Sequence, residues 1–128
     1  AFSNMAIDQT NFGPDVLQHY KQNALIPGAM KAMINYYRAA FRSNPLKEVW
    51  ENPPHVKTPT LMIWGEEDVA LGKELTYGTE NLVDDFTLRY LPNVSHWVQQ
   101  EAPQTVNAML EAWLTDRPVP EASEAGGI

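Results

Sequence analysis

The 128-residue chain has the size of one ordinary domain, and its 44% hydrophobic and 20% charged residues are typical of a globular protein with its own core. Nine basic residues against sixteen acidic ones give a formal net charge of −7, which repels phosphate groups and therefore excludes nucleic acid as an expected partner. No run of eighteen apolar residues is present to span a bilayer, and the absence of cysteine excludes disulfides, thiol catalysis and thiolate metal sites.

The first residues, AFSNMAID, lack the charged start and the apolar middle of a signal peptide. Because the chain begins with Ala1 instead of methionine, we expect a fragment or a processed chain. A reducing cytoplasm is the default compartment, and no association with a membrane is expected.

Two helices are predicted in the first third of the chain. In GPDVLQHYKQNAL, Pro14 suits the first helical position, and the apolar residues that follow recur at helical spacing. In PGAMKAMINYYRAAFR, apolar side chains recur every three or four residues, namely Met30, Met33, Ile34, Tyr37 and Phe41. By spacing alone, Tyr37 is one more member of an apolar stripe that favours packing in a core.

A change of organisation follows at NPPHVKTP, where three prolines in eight residues exclude a helix. TLMIWG (60–65) is typical of a buried parallel strand, residues 71–83 favour a helix, and FTLRYLP (86–92) alternates as a strand does. APQTVNAMLEAWL (102–114) favours a closing helix. We predict a helical segment over residues 1–52, an α/β segment over residues 53–115 and, because large apolar residues are scarce there, a disordered tail over residues 116–128.

The order strand, helix, strand predicts a parallel pair, since the chain must cross back over the sheet before the second strand. The carboxyl ends of both strands then lie on the same edge, so Asp68 and His96 are expected to meet there. A carboxylate bonded to one imidazole nitrogen leaves the other able to accept a proton from water, which makes His96 a candidate base and Asp68 its orienting acid.

Structural explanations compete with these catalytic ones. His96 is also explained as a hydrogen-bonded loop residue, and Asp68 as the cap of a following helix. Glu66 and Glu67 are rival carboxylates that spacing alone does not rank. The remaining histidines are expected at the surface, His19 on a helix and His55 in the proline-rich linker.

PTLMIWGEEDVALG, followed by LRYLPNVSHWVQQEAPQTVNAMLEAWL, resembles the carboxyl-terminal half of an α/β-hydrolase fold enzyme of the epoxide hydrolase group. The resemblance covers most of residues 14–114 and extends to haloalkane and haloacetate dehalogenases. It implies parallel strands with crossover helices, preceded by part of a helical lid, or cap, over residues 1–52. In that family a WGxxD loop supplies the acid of the catalytic triad and SHW its histidine, which implies these roles for Asp68 and His96.

The helix PGAMKAMINYYRA resembles a lid segment of epoxide hydrolases, in which a tyrosine donates a hydrogen bond to the epoxide oxygen. The resemblance thus implies that role for Tyr37, a small apolar epoxide as substrate, and no metal or cofactor. Trp97 is a candidate for substrate binding, although it and Trp64 are equally explained as core residues.

The sequence departs from the family pattern at the nucleophile. No GxDxG, GxSxG or HGxP motif occurs in these residues, so we expect a nucleophilic aspartate upstream of the chain and an inactive isolated chain. A dehalogenase, or another α/β-hydrolase, is the enzymatic alternative. The alternative of another class is a non-catalytic truncated module whose uncovered strand edge pairs with a missing N-terminal half or with another copy of itself.

Overall fold

The computed structural model describes residues 5–42, 49 and 51–126. The chain divides into a helical unit, Gly13–His55, and an α/β unit made of Ala1–Phe12 and Val56–Ile128. Residues 5–12 group with the α/β unit instead of with the helical segment to which we assigned them.

The helical unit contains both predicted helices. Helix α1 (Pro14–Leu25) begins with a proline, whose missing N–H is no loss in a first turn. A turn follows at Gly28, whose φ of +89° lies in the left-handed region that glycine adopts without steric penalty. Helix α2 (Ala29–Arg42) follows directly.

The apolar stripe of α2 is exposed, contrary to the packing that its spacing favours. Met30, Met33, Ile34 and Tyr37 all lie at the surface, and no residue of α1 is buried. Two helices alone offer each other too little surface to cover such a stripe. The side chain of Phe41 lies outside the described residues.

The α/β unit is built on two parallel strands, β1 (Thr60–Gly65) and β2 (Phe86–Leu91). Their register pairs Thr60 with Phe86 at one end and Gly65 with Leu91 at the other. Both carboxyl ends therefore lie at the same edge, as the sequence predicts.

The connection between the strands corrects one prediction. We expected a helix over residues 71–83, but the structure has two 3₁₀ turns, Lys73–Thr76 and Thr79–Asn81. Gly78 between them has a φ of +83°. A residue in that conformation ends a right-handed helix, so the connection is a pair of short turns instead.

The core of the α/β unit lies between the two-stranded sheet and the two helices that follow it, α3 (Val98–Glu101) and α4 (Pro103–Leu114). Seven buried apolar residues form it: Leu91, Val94, Ala102, Val106, Met109, Val119 and Ala122. Among the described residues, no helix is long and apolar enough to cross a membrane.

Two of these core residues correct the prediction of a disordered tail. Val119 and Ala122 are buried, and the Arg89 side chain donates hydrogen bonds to the carbonyl oxygens of Val119 (2.6 Å) and Pro120 (3.0 Å). Two small apolar residues and two backbone acceptors hold the segment against the sheet. The prediction of disorder counted only large apolar residues, so it included neither the small apolar residues nor the backbone acceptors.

Gly65, the last residue of β1, allows the loop after β2 to approach the β1 backbone closely. A Cβ atom at this position would overlap the backbone carbonyl oxygens of Ser95 and Val94, and backbone atoms cannot move aside as a flexible side chain can. The Asp68 loop and the His96 loop are thus packed backbone against backbone.

Gly65→Ala is therefore expected to destabilise the fold by about 1 to 3 kcal/mol, the usual range for overpacking a filled site. The midpoint of urea unfolding measures the effect. Gly13→Ala is the matched control, because no described heavy atom lies within 4 Å of its Cβ position. Equal midpoints for the two variants would contradict the close approach at Gly65.

Candidate active site

Asp68 lies in the loop that follows β1, and both of its carboxylate oxygens have partners. Oδ1 accepts hydrogen bonds from the backbone N–H groups of Ala70 (2.8 Å) and Leu71 (2.9 Å). Oδ2 lies 2.8 Å from Nδ1 of His96. The side chain is only 6% exposed, so its two sets of contacts hold it in one orientation.

His96 lies in the loop that follows β2. The chain leaves the strand through Asn93, which has a φ of +57° in the left-handed region that asparagine tolerates. It then passes through the fully buried Ser95 before reaching His96, whose side chain is 32% exposed. The imidazole is therefore fixed on one side and open to solvent on the other.

The two loops are joined by their backbones as well as by this side-chain pair. The N–H of Glu66 donates to the carbonyl oxygen of Leu91, and the N–H of Glu67 to that of Val94, both at 3.0 Å. These bonds continue the parallel ladder beyond the strands. Because the two loops start side by side, Asp68 on one loop can reach His96 on the other.

The pKa of Asp68 reflects opposing effects. Burial raises it, whereas hydrogen bonds from the Leu71 N–H, the His96 imidazole and the Ala70 N–H lower it. The lowering effects prevail, so the pKa lies below the ordinary value and the carboxylate is ionised at neutral pH. An acid whose pKa is lower in the folded state stabilises the fold at pH values above its unfolded-state pKa. This contribution is lost as the pH falls through the folded-state pKa.

An ionised Asp68 dictates the tautomer of a neutral His96. A carboxylate accepts but does not donate, so the Nδ1 atom beside it carries the proton. Nε2 is then the free acceptor. This arrangement allows His96 to take a proton from a water molecule and stabilises the imidazolium that results.

The rival carboxylates occupy other environments. Glu66 forms an ion pair with Lys73, with 2.7 Å between Oε1 and Nζ. Glu67 is exposed. Of the three adjacent acids, Asp68 is the one in contact with His96. Oδ1 of Asp68 accepts both bonds from the following loop, as a helix cap would, and Oδ2 contacts the imidazole. The capping role and the contact with His96 are therefore compatible.

The other residues singled out by sequence have distinct surroundings. Tyr37 lies on α2 in the helical unit and is 65% exposed. The Trp97 ring contacts the His96 ring edge to face, with 5.1 Å between centroids. Trp64 donates from Nε1 to the carbonyl oxygen of Leu71 at 3.3 Å, which braces the loop after Asp68. The roles of Tyr37 and Trp97 toward a substrate stay predictions.

Sequence reasoning overlooked Glu101, a buried carboxylate beside the His96 loop. It accepts hydrogen bonds from the backbone N–H groups of Ser95 and Trp97, on either side of His96. A glutamate at the end of a short helix is usually solvated, and nothing in its spacing marks it as buried.

His19 and His55 are exposed, as predicted. Within the described ranges, no group of three potential metal ligands is found.

No protein-family model matches the chain. Epoxide hydrolase 4 of Mus musculus is 41% identical over 91 residues, which cover 70% of this chain and 24% of that protein. The AB hydrolase superfamily protein YfhM of Bacillus subtilis is 32% identical over 106 residues, which cover 83% of this chain and 36% of that protein. The chain thus spans well under half of either relative.

Among solved structures, the epoxide hydrolase of Bacillus megaterium in complex with an inhibitor is similar, with a TM-score of 0.70 and 28% sequence identity. The match covers 84% of this chain and 39% of that one. Together with the parallel strands and the acid–histidine pair at their carboxyl ends, it defines part of an α/β-hydrolase fold, and the partial coverage fits a carboxyl-terminal part. Over this part of its length the chain is similar to enzymes of the epoxide hydrolase group.

Proposed function

We propose that the complete protein hydrolyses small apolar epoxides to vicinal diols through an aspartyl ester, with no metal or cofactor. The observation that carries the proposal is the 2.8 Å contact between His96 Nδ1 and Asp68 Oδ2. It lies at the carboxyl edge of parallel strands, in a chain 41% identical to a mouse epoxide hydrolase. That edge is where open α/β sheets build their sites.

The first step is the alkylation of a nucleophilic aspartate that lies upstream of these residues. One of its carboxylate oxygens bonds to an epoxide carbon, and the ring C–O bond at that carbon breaks. Negative charge develops on the departing ring oxygen. The Tyr37 phenol donates a hydrogen bond to this oxygen, which takes up a proton from solvent as the ring opens.

The second step is the hydrolysis of this ester by water. Nε2 of His96 takes a proton from the water, and the hydroxide that forms attacks the ester carbonyl carbon. The bond between that carbon and the diol oxygen breaks, and the imidazolium returns its proton to the departing oxygen. The aspartic acid that is released gives a proton to solvent, equal to the one taken up in the first step, and is restored as a carboxylate, so the sum is one epoxide and one water converted to one diol.

Asp68 contributes to the second step by its charge and its position. Its lowered pKa keeps it ionised throughout the pH range in which a histidine is neutral. The carboxylate therefore stabilises the imidazolium at the moment it forms. The two backbone bonds on Oδ1 leave Oδ2 as the oxygen that faces the ring.

A panel of small apolar epoxides tests the activity itself. The protein expressed from its complete coding sequence is incubated with each epoxide, and diol formation is followed by gas chromatography. Diol formation that depends on the protein supports the proposal. Failure on the whole panel, with a folded protein, favours the non-catalytic module instead.

Tyr37→Phe tests the first step and separates the proposal from a dehalogenase. Removing one donor to a developing oxyanion is expected to slow alkylation by an epoxide about 10²-fold. A leaving halide needs no phenol, so a dehalogenase should barely respond. Rapid mixing of the complete protein with excess epoxide measures the alkylation rate constant.

Tyr36→Phe is the matched control for this prediction. Tyr36 is the adjacent tyrosine on α2, also exposed, with its ring 5.6 Å from that of Tyr37. Its replacement should leave the alkylation rate unchanged. An unchanged rate in Tyr37→Phe, together with turnover of a haloalkane, would assign the protein to the dehalogenases.

A further inference from the structure

Glu101 is a buried carboxylate for which the two proposed steps have no use. It ends α3, lies five residues after His96 in the chain and is 7% exposed. Its Oε1 atom accepts hydrogen bonds from the backbone N–H of Ser95 (3.2 Å), from the Ser95 hydroxyl and from the backbone N–H of Trp97 (3.3 Å). One oxygen therefore holds the backbone immediately before and immediately after His96.

The second carboxylate oxygen binds a distant part of the chain. Oε2 accepts hydrogen bonds from the backbone N–H groups of Ile7 (2.7 Å) and Asp8 (3.1 Å). Both residues belong to the segment that groups with the α/β unit. Glu101 thus joins this segment to the loop that carries His96.

A buried carboxyl group without partners is strongly unfavourable, whereas N–H and O–H donors that face its oxygens satisfy them. Glu101 has five such donor groups, three on Oε1 and two on Oε2. Every donor other than the Ser95 hydroxyl is backbone. The carboxylate therefore fixes the path of the chain more than the rotamer of a side chain.

The His96 loop is held from a second direction as well. The carbonyl oxygen of Ser95 lies so close to Gly65 that a Cβ there would overlap it. The peptide groups around Ser95 are thus confined between Gly65 on one side and the Glu101 carboxylate on the other. This confinement sets the direction in which the His96 side chain leaves the backbone toward Asp68.

We propose that Glu101 is a positioning residue for His96. It acts through the backbone of Ser95 and Trp97 and holds the imidazole at hydrogen-bonding distance from Asp68, in the geometry that ester hydrolysis requires. The inference rests on the proposed function for the catalytic use of His96. The positioning itself concerns the His96–Asp68 bond, which is measured without a substrate.

Glu101→Gln in the complete protein tests it. The amide keeps the shape but replaces one oxygen by an NH₂ group, which then faces backbone N–H donors on whichever side it lies. We expect the rate constant of ester hydrolysis to fall about 10²-fold, the size of loss that a small misplacement of a catalytic group produces. Alkylation should change much less, because it does not use His96.

A proton NMR resonance of the His96 Nδ1–H supplies the readout that does not require turnover. In the unchanged protein the proton shared with Asp68 should resonate far downfield, and in Glu101→Gln the resonance should shift or disappear. Glu111→Gln is the matched control, since Glu111 is an exposed glutamate on α4 whose side chain pairs with Arg117. It should leave both the resonance and the hydrolysis rate unchanged.

Ser95→Ala covers the case in which Glu101→Gln does not fold. It removes one donor of the five and leaves the backbone bonds in place, so a smaller decrease in ester hydrolysis is expected. A folded Glu101→Gln protein with a lower melting temperature, but an unchanged resonance and hydrolysis rate, would overturn the positioning role. A displaced resonance in a protein that hydrolyses no epoxide would uphold the positioning role and reject the proposed function.

Discussion

Replacing His96 by glutamine is expected to slow ester hydrolysis by about 10²- to 10⁴-fold, the usual contribution of a positioned general base. Glutamine retains a hydrogen-bonding side chain of similar reach but accepts no proton from water at neutral pH. Alkylation by the epoxide should persist, because the nucleophile and the Tyr37 phenol remain. The complete protein should therefore show one rapid turnover of epoxide followed by almost none.

His19→Gln is the matched control for this prediction, since His19 is an exposed histidine on α1. Its kinetics should match those of the unchanged protein. Steady-state diol formation at the normal rate in His96→Gln would remove His96 from the mechanism, whatever its contact with Asp68.

Asp68→Asn is expected to slow ester hydrolysis by a similar factor, about 10²- to 10⁴-fold, while alkylation is comparatively spared. The asparagine oxygen can keep the bonds from Ala70 and Leu71 that Oδ1 accepts. Its NH₂ group then faces His96, which favours the proton on Nε2 and removes the acceptor that water needs. The negative charge that stabilises the imidazolium is also lost. Single-turnover measurements on the complete protein separate the two steps.

The adjacent acids serve as controls for Asp68. Glu67→Gln changes an exposed side chain and should leave both steps unchanged. Glu66→Gln removes the ion pair with Lys73 but leaves the contact between Asp68 and His96. If Asp68→Asn left hydrolysis intact while either glutamine variant abolished it, the WGxxD assignment would be wrong for this chain.

The meeting of Asp68 and His96 could be predicted because it depends on few facts. Two strand-like runs separated by a long connection form a parallel pair, and parallel strands bring their following loops together. The assignment of Asp68 over Glu66 and Glu67 needed more, since the three acids are adjacent. Spacing alone does not rank them, but the WGxxD resemblance singles out Asp68. In the structure, the Ala70 and Leu71 N–H groups bind one oxygen of Asp68, and its other oxygen contacts the ring.

Other features depend on contacts that local patterns do not encode. Glu101 has five donors from two distant segments, so no spacing rule identifies it. The Arg89 side chain, by holding the backbone at Val119, orders a tail whose composition predicts disorder. The turn at Gly78 depends on one positive φ angle. The spacing of residues 71–83 predicts a helix because it carries no information about that angle.

The stripe on α2 illustrates the opposite case. Its period predicts the helix correctly, because an apolar face recurring every three or four residues requires one. The period does not say which layer covers that face. Among the described residues of α2, the apolar side chains of the stripe are exposed, and the role of Tyr37 stays a prediction for the same reason.

The central claim is that His96, held by Asp68, hydrolyses an ester formed between the protein and its substrate. Intact-protein mass spectrometry of the complete His96→Gln variant, quenched at intervals after mixing with excess epoxide, tests it most directly. We predict a mass increase equal to one epoxide per protein, which forms quickly and persists, while the unchanged protein returns to its original mass once the epoxide is consumed. An increase that decays in the variant as fast as in the unchanged protein would contradict the account.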